Sequence, residues 1–484
     1  MDQALEGLKP ESVWRYFGEI SRIPRGSKNE AAAAAFVLET AKRLGLWAAQ
    51  DGVGNVIVRK SASAGRESSP SVCLQGHLDM VCEKNADVVH DFMKDPIRLV
   101  RKDNILMAAG TTLGADNGIA VATMLALLEE KDTELGPLEM LFTIDEETGL
   151  TGAGSLQADF LLSRTMLNLD SEEEGTLCVG CAGGKDTIAG WIAKWEAPAP
   201  KAVACEVHVK GLLGGHSGID IHKGLGNALK ILGRVLRRLE EMGARVASIQ
   251  GGNKRNAIPR EASASIYLPG SKIKKATALV RDLDTVLRAE IATVDPGLSV
   301  SFQVLGQKEG KVLVRPLQKK LLRTLSALPH GVTKMSADIP GLVETSTNVA
   351  VVRINEETAA IETSQRSSVA SEIDEIVETV TSVLGLAGAT VETGKGYPGW
   401  KPDLGSRVLK VAQETFKDLF GREAEVKAVH AGLECGIIGE KFPGMDMVSL
   451  GPTMEAVHSP RECMHIDTVE RFWGYLLEIL KRMR

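Results

Sequence analysis

An apolar segment that ends in three successive carboxylates is the feature that most constrains how this chain folds. Residues 138–144 are mostly apolar and favour a β-strand. The next three residues are Asp145, Glu146 and Glu147, and turn residues follow them. Carboxylates at the end of a buried strand are costly to bury unless other groups pair with them. An acidic triplet is by itself typical of a solvated loop. The rest of the chain must therefore show whether these carboxylates belong to a functional site.

Several other short apolar segments end in the same way. One leads into His77 and another into Asp170, while Asp116 lies at the start of a strongly apolar helix predicted for residues 114–130. Short apolar strands that alternate with helices predict an α/β domain with a mixed, largely parallel sheet. Ligands bind beyond the carboxyl ends of the strands in such sheets. These polar side chains are therefore predicted to meet at one edge of the sheet.

The length of the chain and the order of its elements predict two domains. A chain of 484 residues is too long for one simple core. We expect residues 1–184 and 397–484 to form the first domain, with residues 185–396 inserted as an α+β lid domain. Strand and helix candidates in the insertion follow the order of two successive split β-α-β units. Two ferredoxin-like halves are therefore expected, at about 185–308 and 309–396.

A capping-box pattern precedes an alanine-rich segment near the N-terminus. Ser27 and Glu30 have the spacing at which a hydroxyl and a carboxylate cap one helix end reciprocally. We therefore expect Ser27 to cap the alanine-rich helix that ends at Gly45.

The composition excludes several classes of function. The net charge is −6, with 44% hydrophobic and 25% charged residues, as in an ordinary globular protein. The chain has no block rich in Lys and Arg, so neither nucleic acid nor an anionic membrane is an expected partner. No apolar segment approaches membrane-spanning length, and the first residues do not resemble a signal peptide. A cytoplasmic location is therefore expected.

The seven cysteines do not predict a disulfide framework. They are an odd number scattered along a long chain, which favours reduced and mostly buried thiols. Cys178 and Cys181 could form a redox pair or half of a structural zinc site. A structural zinc needs a second ligand pair, and the sequence has none at the required spacing, so a turn of small residues is favoured.

A set of His, Asp and Glu residues has the chemistry of a metal centre. Imidazole and carboxylate ligands suit zinc, with manganese or cobalt as alternatives. The set exceeds what one tetrahedral catalytic zinc requires, and two metals that share a bridging carboxylate fit the number better. The His-x-Asp pattern is weak evidence on its own, so the residues alone do not exclude a site that binds no metal. The set comprises His77, Asp79, Asp116, Glu146, Glu147, Asp170 and His458.

Seven short segments of the chain, five of which contain residues of this set, resemble the corresponding motifs of the aminoacyl-histidine dipeptidases. That family belongs to the co-catalytic zinc peptidases, which also include carboxypeptidases and amino-acid deacylases. The resemblance runs over essentially the whole chain, in the same order, and so predicts the zinc-peptidase fold. The matching segments are residues 74–80, 113–118, 145–149, 168–172 and 457–460, together with 179–184 and 430–436.

The resemblance implies two Zn²⁺ ions, for which Co²⁺ or Mn²⁺ could substitute. Asp116 would bridge the two ions. His77 and Asp170 would complete the site of one ion, and Glu147 and His458 would complete the other. The peptide bond after Asp116 is often cis in this family.

The resemblance also assigns catalytic roles. Glu146 would be the general base, and Asp79 would orient His77 through its second ring nitrogen. His216, within residues 214–218, matches the histidine that stabilises the tetrahedral oxyanion. These three roles imply hydrolysis of a peptide bond by metal-activated water.

Four further residues are candidates for binding the substrate. Asn256 and Arg366 are candidate ligands for its C-terminal carboxylate, because arginine binds a carboxylate through two parallel hydrogen bonds. His430 and Glu434 could line the pocket or bind the free amino group. The expected substrates are unblocked dipeptides, notably Xaa-His dipeptides of the β-alanyl-histidine type.

Two alternatives accompany this prediction. An N-acyl-amino-acid deacylase or a carboxypeptidase could use the same metal centre. A non-catalytic binding protein is disfavoured, because no expected ligand or base is missing from the sequence. Small dipeptides are the expected partners, and a homodimer is possible.

Overall fold

The computed structural model describes residues 2–484, which form two compact units. Unit 1 comprises residues 2–180, together with Trp400–Ala428 and Leu433–Arg484. Unit 2 comprises Cys181–Gly399 and Val429–Gly432. The short segment 429–432 therefore belongs to unit 2, although the chain on both sides of it belongs to unit 1. None of the described helices is both long and apolar enough to cross a membrane.

The first part of the chain supplies most of the central sheet of unit 1. Its strands are β1 (Trp47–Gln50), β2 (Val56–Lys60), β3 (Val72–His77), β4 (Leu99–Lys102), β5 (Ile105–Ala108), β6 (Leu138–Thr143), β7 (Thr165–Asn168) and β8 (Thr176–Cys181). Its helices are α1 (Glu11–Ile20), α2 (Ala31–Arg43), α3 (Ala115–Glu129), α4 (Glu146–Gly149) and α5 (Thr151–Ser155), after a 3₁₀ turn at Gln3–Leu5. The strands β3 and β6 are buried along their whole length, as their apolar sequences predict.

The middle of the chain forms unit 2. Its strands are β9 (Gly183–Ile192), β10 (Trp195–Glu196), β11 (Ala202–Lys210), β12 (Gly215–His216), β13 (Arg245–Gly251), β14 (Ala257–Ile258), β15 (Ala262–Pro269), β16 (Ser299–Gly306), β17 (Val312–Leu313), β18 (Gly331–Met335), β19 (Val343–Ile354), β20 (Thr358–Ser367) and β21 (Thr390–Thr393). Its helices are α6 (Ala228–Glu240), α7 (Ile273–Ile291), α8 (Arg315–Ala327) and α9 (Ala370–Leu386), with 3₁₀ turns at Ile221–Lys223 and Gly270–Lys272.

The end of the chain completes unit 1. Its elements are α10 (Arg407–Phe420), β22 (Glu425–Val429), α11 (Glu434–Lys441), β23 (Asp446–Ser449), β24 (Met454–Glu455), β25 (Cys463–His465) and α12 (Ile466–Arg482). The eight-stranded sheet has the order β1-β2-β6-β3-β7-β23-β8-β22. Its four central strands, β6, β3, β7 and β23, are parallel, and β1, β2 and β8 pair in the antiparallel sense. The prediction of a mixed α/β fold is confirmed.

The sheet of unit 2 is antiparallel and joins strands that are distant in sequence. Its order is β16-β11-β15-β13-β19-β20-β9-β21, with β18 paired to β19. The strand β9 pairs with β20 and β21. Most of β9 lies within residues 185–308, the range predicted for the first half of the insertion, and the division into two halves stays a prediction. In the chain, the strands β11 to β16 therefore lie between β9 and the strands β20 and β21 that pair with it.

Candidate metal centre

The carboxyl ends of three parallel strands bring the predicted polar residues together in unit 1. His77 is the last residue of β3, and Glu147 belongs to the first turn of α4, just after β6. Asp170 follows the end of β7 by two residues. His77 is paired in register with Thr143 of β6, so the neighbouring strands end at the same level. This register explains why side chains far apart in sequence meet at one edge.

Asp116 lies between two histidines. It belongs to the first turn of α3, and its Oδ1 lies 3.1 Å from Nε2 of His77. Its Oδ2 lies 3.0 Å from Nε2 of His458, a loop residue after β24 with a positive φ of 59°. The two oxygens of one carboxylate therefore face two different imidazoles. The peptide bond between Asp116 and Asn117 is cis, as the resemblance implies.

Two further carboxylates complete two groups of three ligand atoms. Asp170 Oδ1 lies 3.3 Å from Nε2 of His77, and Glu147 Oε2 lies 3.1 Å from Nε2 of His458. One group is therefore His77, Asp116 and Asp170, and the other is Asp116, Glu147 and His458. Asp116 is the member that both groups share.

The two groups fit metal ions in spacing and in chemistry. A tetrahedral ion with ligands at about 2.0–2.2 Å separates its ligand atoms by about 3.3–3.6 Å. The nitrogen–oxygen distances of 3.0–3.3 Å around His77 and His458 lie close to that separation. In addition, Oε1 of Glu147 is buried and has no hydrogen-bond partner among residues 2–484. A buried carboxylate oxygen without a donor is costly, and a cation removes that cost.

The electrostatics of this site are dominated by burial and by opposite charges at short range. Burial opposes protonation of His77, but Asp170, Asp116 and Asp79 outweigh it and hold its pKa well above the usual value. Hydrogen bonds to Asp116 and Glu147 raise the pKa of His458 to about 11. Burial raises the pKa of Asp170 to about 6, although His77 opposes the shift. The carboxylates thus favour positively charged groups in the site.

Asp79 contacts the second ring nitrogen of His77, Nδ1, whereas Asp116 contacts Nε2. Its Oδ1 lies 3.2 Å from Nδ1 of His77, and it also accepts hydrogen bonds from the Ser27 hydroxyl and from the backbone N–H groups of Glu146 and Glu147. Burial opposes ionisation of Asp79, but the hydrogen bonds from His77, Ser27 and Glu146 outweigh it and lower the pKa to about 2. Asp79 is therefore a fixed anion that holds the imidazole in one orientation.

The predicted capping box at Ser27 is wrong. The helix α2 begins at Ala31 without a side-chain hydrogen bond to its first turn. The Ser27 hydroxyl donates instead to Asp79 at 2.8 Å, because an ionised carboxylate is a stronger acceptor than the other groups within its reach. Oε1 of Glu30 accepts the backbone N–H groups of Lys28 and Asp145.

Asp145 and Glu146 are adjacent in the chain but lie in different environments. Asp145 has a left-handed backbone, with φ of 50°, and accepts hydrogen bonds from the hydroxyls of Thr148 and Thr151. Glu146 is half-buried, and burial raises its pKa well above the usual value; nearby carboxylates, including Asp170, add to the shift. Glu146 also has a ligand-capable oxygen within 4.8 Å of those of His77 and Glu147. The geometry therefore permits either a base or a ligand at Glu146.

In unit 2, His216 is held in one tautomer. Its Nδ1 accepts hydrogen bonds from the backbone N–H groups of Gly218, at 3.2 Å, and Ile219, at 3.0 Å. Burial and the charge of Arg366 lower its pKa to about 4, so the ring is neutral at neutral pH. Because Nδ1 is an acceptor, the proton lies on Nε2. Asn256 is exposed and close in the same unit, since its carbonyl accepts the N–H of Ser217.

Arg366 and His430 are buried in unit 2. The guanidinium of Arg366 donates from Nη1 to the hydroxyl of Tyr397 at 2.8 Å, and its Nε has no hydrogen-bond partner in the described part of the chain. His430 shares a hydrogen bond of 2.7 Å with the hydroxyl of Ser346. Burial and the charge of Arg366 lower the pKa of His430 to about 3. Arg366, His216 and His430 therefore form one electrostatic cluster.

Glu434 belongs to unit 1, unlike His430. It is buried at the start of α11, and its Oε2 accepts hydrogen bonds of 2.6 Å from Gln75 and from Thr143. Burial raises its pKa to about 7. Its Oε1 has no hydrogen-bond partner among the residues described. Glu434 is thus a buried carboxylate with one unused acceptor.

Three residues near the site were not identified from the sequence. The amide of Asn117 accepts the N–H of His77 and donates to the carbonyl of Leu169, and so links the end of β3 to the residue before Asp170. Arg25 and Glu462 bind the backbone around the site. Glu462 lies four residues after His458, so extending that motif would have included it.

The cysteine pair shows no sign of a zinc site. Cys178 and Cys181 lie on β8 and are buried. None of the ligand-capable clusters found across residues 2–484 includes a cysteine. The structure therefore gives no support to a structural zinc at this pair.

The fold and the shared carboxylate define a metallopeptidase class, and comparison with known proteins agrees. Residues 73–482 match the model of peptidase family M20/M25/M40, and the chain belongs to that family. It is 41% identical over 480 residues to the cytosol non-specific dipeptidase of Escherichia coli strain K12, covering 99% of each chain. The resemblance seen in the sequence is therefore confirmed.

Solved structures of two relatives extend the comparison. The aminoacylhistidine dipeptidase from Vibrio alginolyticus is 39% identical, with a TM-score of 0.91 over 99% of this chain and 98% of its own. A tripeptidase from Staphylococcus aureus is 19% identical, with a TM-score of 0.56 over 98% of each chain, and therefore shares the fold.

Proposed function

We propose that this protein is a metal-dependent dipeptidase that hydrolyses unblocked dipeptides, Xaa-His dipeptides among them. The observation that carries the proposal is Asp116, whose two oxygens face His77 and His458 at 3.1 and 3.0 Å within two ligand groups. Two Zn²⁺ ions are the proposed occupants, with Co²⁺ or Mn²⁺ as substitutes. Membership of the M20 family and the dipeptidase names of two relatives support the reaction class. By analogy with the Escherichia coli relative, we place the activity in the cytosol.

Glu146 is the proposed proton carrier. The bound metal pair supplies Lewis-acid polarisation of the scissile carbonyl and makes a water molecule more acidic. Glu146 takes the proton from the attacking water and then delivers it to the leaving amine. Glu146 directly follows Asp145 at the end of β6 and has an oxygen within 4.8 Å of ligand-capable atoms of His77 and Glu147, which supports this role. Asp79 keeps His77 in the orientation that ligand binding requires.

His216 is the proposed donor to the oxyanion. A neutral imidazole that carries its proton on Nε2 can donate a hydrogen bond to a developing negative charge. The two N–H groups that Nδ1 accepts, from Gly218 and Ile219, hold that tautomer. The lowered pKa of His216 keeps the ring neutral throughout the physiological range.

Charged and polar residues are proposed to bind the two ends of a dipeptide. Arg366 and Asn256 bind the C-terminal carboxylate, and the unpartnered Nε of Arg366 supports this role. Glu434 binds the free amino group, because its Oε1 is a buried acceptor without a donor. His430 lines the pocket as a neutral ring. A site that requires both free ends selects dipeptides over longer peptides.

A metal assay combined with a substrate panel tests this function. The purified protein is expected to contain two metal ions per chain and to hydrolyse β-alanyl-histidine and several α-dipeptides. A chelator should abolish the activity, and Zn²⁺, Co²⁺ or Mn²⁺ should restore it. Tripeptides and N-acetyl amino acids should react far more slowly. Preference for N-acetyl amino acids would instead identify a deacylase, and full activity in the metal-free protein would refute the proposal.

Replacement of Arg366 by Lys is expected to raise KM for dipeptides by about 10- to 100-fold with a smaller change in kcat. Lysine keeps the positive charge but loses the two parallel hydrogen bonds, which are worth about 1.5–3 kcal/mol in charge-assisted pairs. Steady-state kinetics would measure the effect. The control is Arg353→Lys, an exposed arginine on β19 of the same sheet.

A second substrate separates this role from a structural one. A dipeptide amide lacks the C-terminal carboxylate, so Arg366→Lys should reduce its hydrolysis much less than that of the free dipeptide. Equal losses for both substrates would contradict the assignment of Arg366.

A further inference from the structure

The buried carboxylate of Glu462 binds four successive backbone N–H groups at the start of α3. Its Oε2 accepts those of Leu113, at 2.7 Å, and Gly114, at 3.0 Å. Its Oε1 accepts those of Ala115, at 2.8 Å, and Asp116, at 3.2 Å. The last of these groups belongs to the residue shared by both ligand groups.

The helix itself does not hold Asp116 in place. Asp116 and Asn117 have non-helical backbone angles inside α3, and Gly114 at its start has a left-handed backbone without a side-chain cap. The N–H groups in the first turn of a helix have no partners within the helix. The position of the Asp116 backbone therefore depends on a partner from outside α3, and Glu462 supplies it from a segment 346 residues away.

Arg25 also binds this segment, by donating hydrogen bonds to backbone carbonyl groups. It is wholly enclosed, and its Nη1 donates to the carbonyls of Leu78, at 2.9 Å, and Asp79, at 2.8 Å, while its Nη2 donates to the carbonyl of Gly114. A side chain at Gly114 would bring its Cβ to 2.7 Å from Nη2, and one at Gly118 to 2.5 Å. These two glycines therefore leave the space that the guanidinium occupies. One side chain thus ties the segment after β3 to the start of α3.

We infer that Glu462 and Arg25 are positioning residues of the metal centre. Glu462 sets the start of α3, and Arg25 fixes the distance between that start and the segment that carries His77. Together they hold Asp116 where its two oxygens face both histidines. This inference rests on the proposed metal-dependent function, which is tested first on the unmodified protein.

The test is Glu462→Gln, with metal affinity as the readout. Glutamine has the same shape, but its NH₂ group faces N–H donors in place of an acceptor, so the segment 113–116 must shift. Zn²⁺ affinity, measured by competition with a chelator, is expected to fall by about 10- to 100-fold, as for other residues that orient metal ligands. The visible spectrum of the Co²⁺-loaded protein should change, and kcat should fall with little change in KM. Arg25→Lys is a second variant with the same expected direction.

Two matched variants control for loss of stability. Glu139→Gln alters another buried glutamate of unit 1, which accepts backbone N–H groups of Leu162 and Ser163 at the opposite end of β6. Arg66→Lys alters another buried arginine, which donates to the carbonyls of Lys481 and Met483. Both controls should lower the thermal unfolding temperature without changing Zn²⁺ affinity or the Co²⁺ spectrum.

The outcomes separate this inference from the proposed function. Wild-type Zn²⁺ affinity and an unchanged Co²⁺ spectrum in the folded Glu462→Gln and Arg25→Lys proteins would overturn the inference and leave a purely structural role. A fall in affinity that the controls match would overturn it as well. Failure of the unmodified protein to bind metal would instead refute the proposed function.

Discussion

Glu146→Gln is expected to lower kcat for dipeptide hydrolysis by about 10³-fold, within the range of about 10²- to 10⁴-fold that general acid–base catalysis contributes. Glutamine keeps the size of the side chain but can neither take a proton from water nor pass it to the leaving amine. The variant should still bind two metal ions, because neither group that shares Asp116 includes Glu146. Steady-state kinetics and elemental analysis on the same preparation would measure both quantities.

The control for this variant is Glu129→Gln. Glu129 lies at the far end of α3, where it pairs with Arg15 and Arg43, so its loss should leave kcat nearly unchanged. If Glu146→Gln instead lost one metal ion, Glu146 would be a ligand, which its proximity to His77 and Glu147 permits. Substantial residual turnover with both metals bound would show that another group carries the proton.

Asp116→Asn is expected to weaken binding of both metal ions by more than about 100-fold, since loss of a shared ligand should exceed the roughly 10- to 100-fold effect of losing a residue that only orients one. An amide offers one oxygen and a nitrogen that is already protonated, so it cannot serve both groups. Activity at low metal concentration should disappear. Chelator competition with two resolved binding constants would measure the effect.

Asp170→Asn is the matched comparison for this prediction. Asp170 belongs only to the group with His77 and Asp116, so its replacement should weaken one metal ion and leave the other in place. The difference between the two variants distinguishes a shared ligand from an unshared one. Two tightly bound ions in Asp116→Asn would contradict the shared role of Asp116.

Patterns that are local in the chain allowed the ligand set to be predicted. His77 ends an apolar strand, Glu147 and Asp170 each follow one closely, and parallel strands bring such ends together at one edge. The roles of these residues came from the motif resemblance, which covers Asp116 and His458 as well. Strand direction thus predicted where these polar residues meet, and the resemblance predicted their roles.

The wrong capping prediction and the pairing of β9, which was not predicted, both involve segments that are far apart in the chain. Ser27 has the spacing of a helix cap, yet its hydroxyl binds Asp79, 52 residues away, because a buried anion needs donors. The strand β9 pairs with β20 and β21 rather than with the strands that directly follow it. Neither outcome has a signature within the short windows from which caps and strands are predicted.

The sequence alone determined the class of fold and the family, and it predicted a set of candidate metal ligands, because apolar strands that end in polar residues and ordered motifs are properties of short segments. Only the tertiary structure decided how those ligands are held. Glu462 reaches the N–H of Asp116 across 346 positions, and Arg25 reaches the carbonyl of Gly114 across 89. Such contacts satisfy buried backbone groups, which every residue carries regardless of its side chain, so the amino-acid pattern does not reveal them.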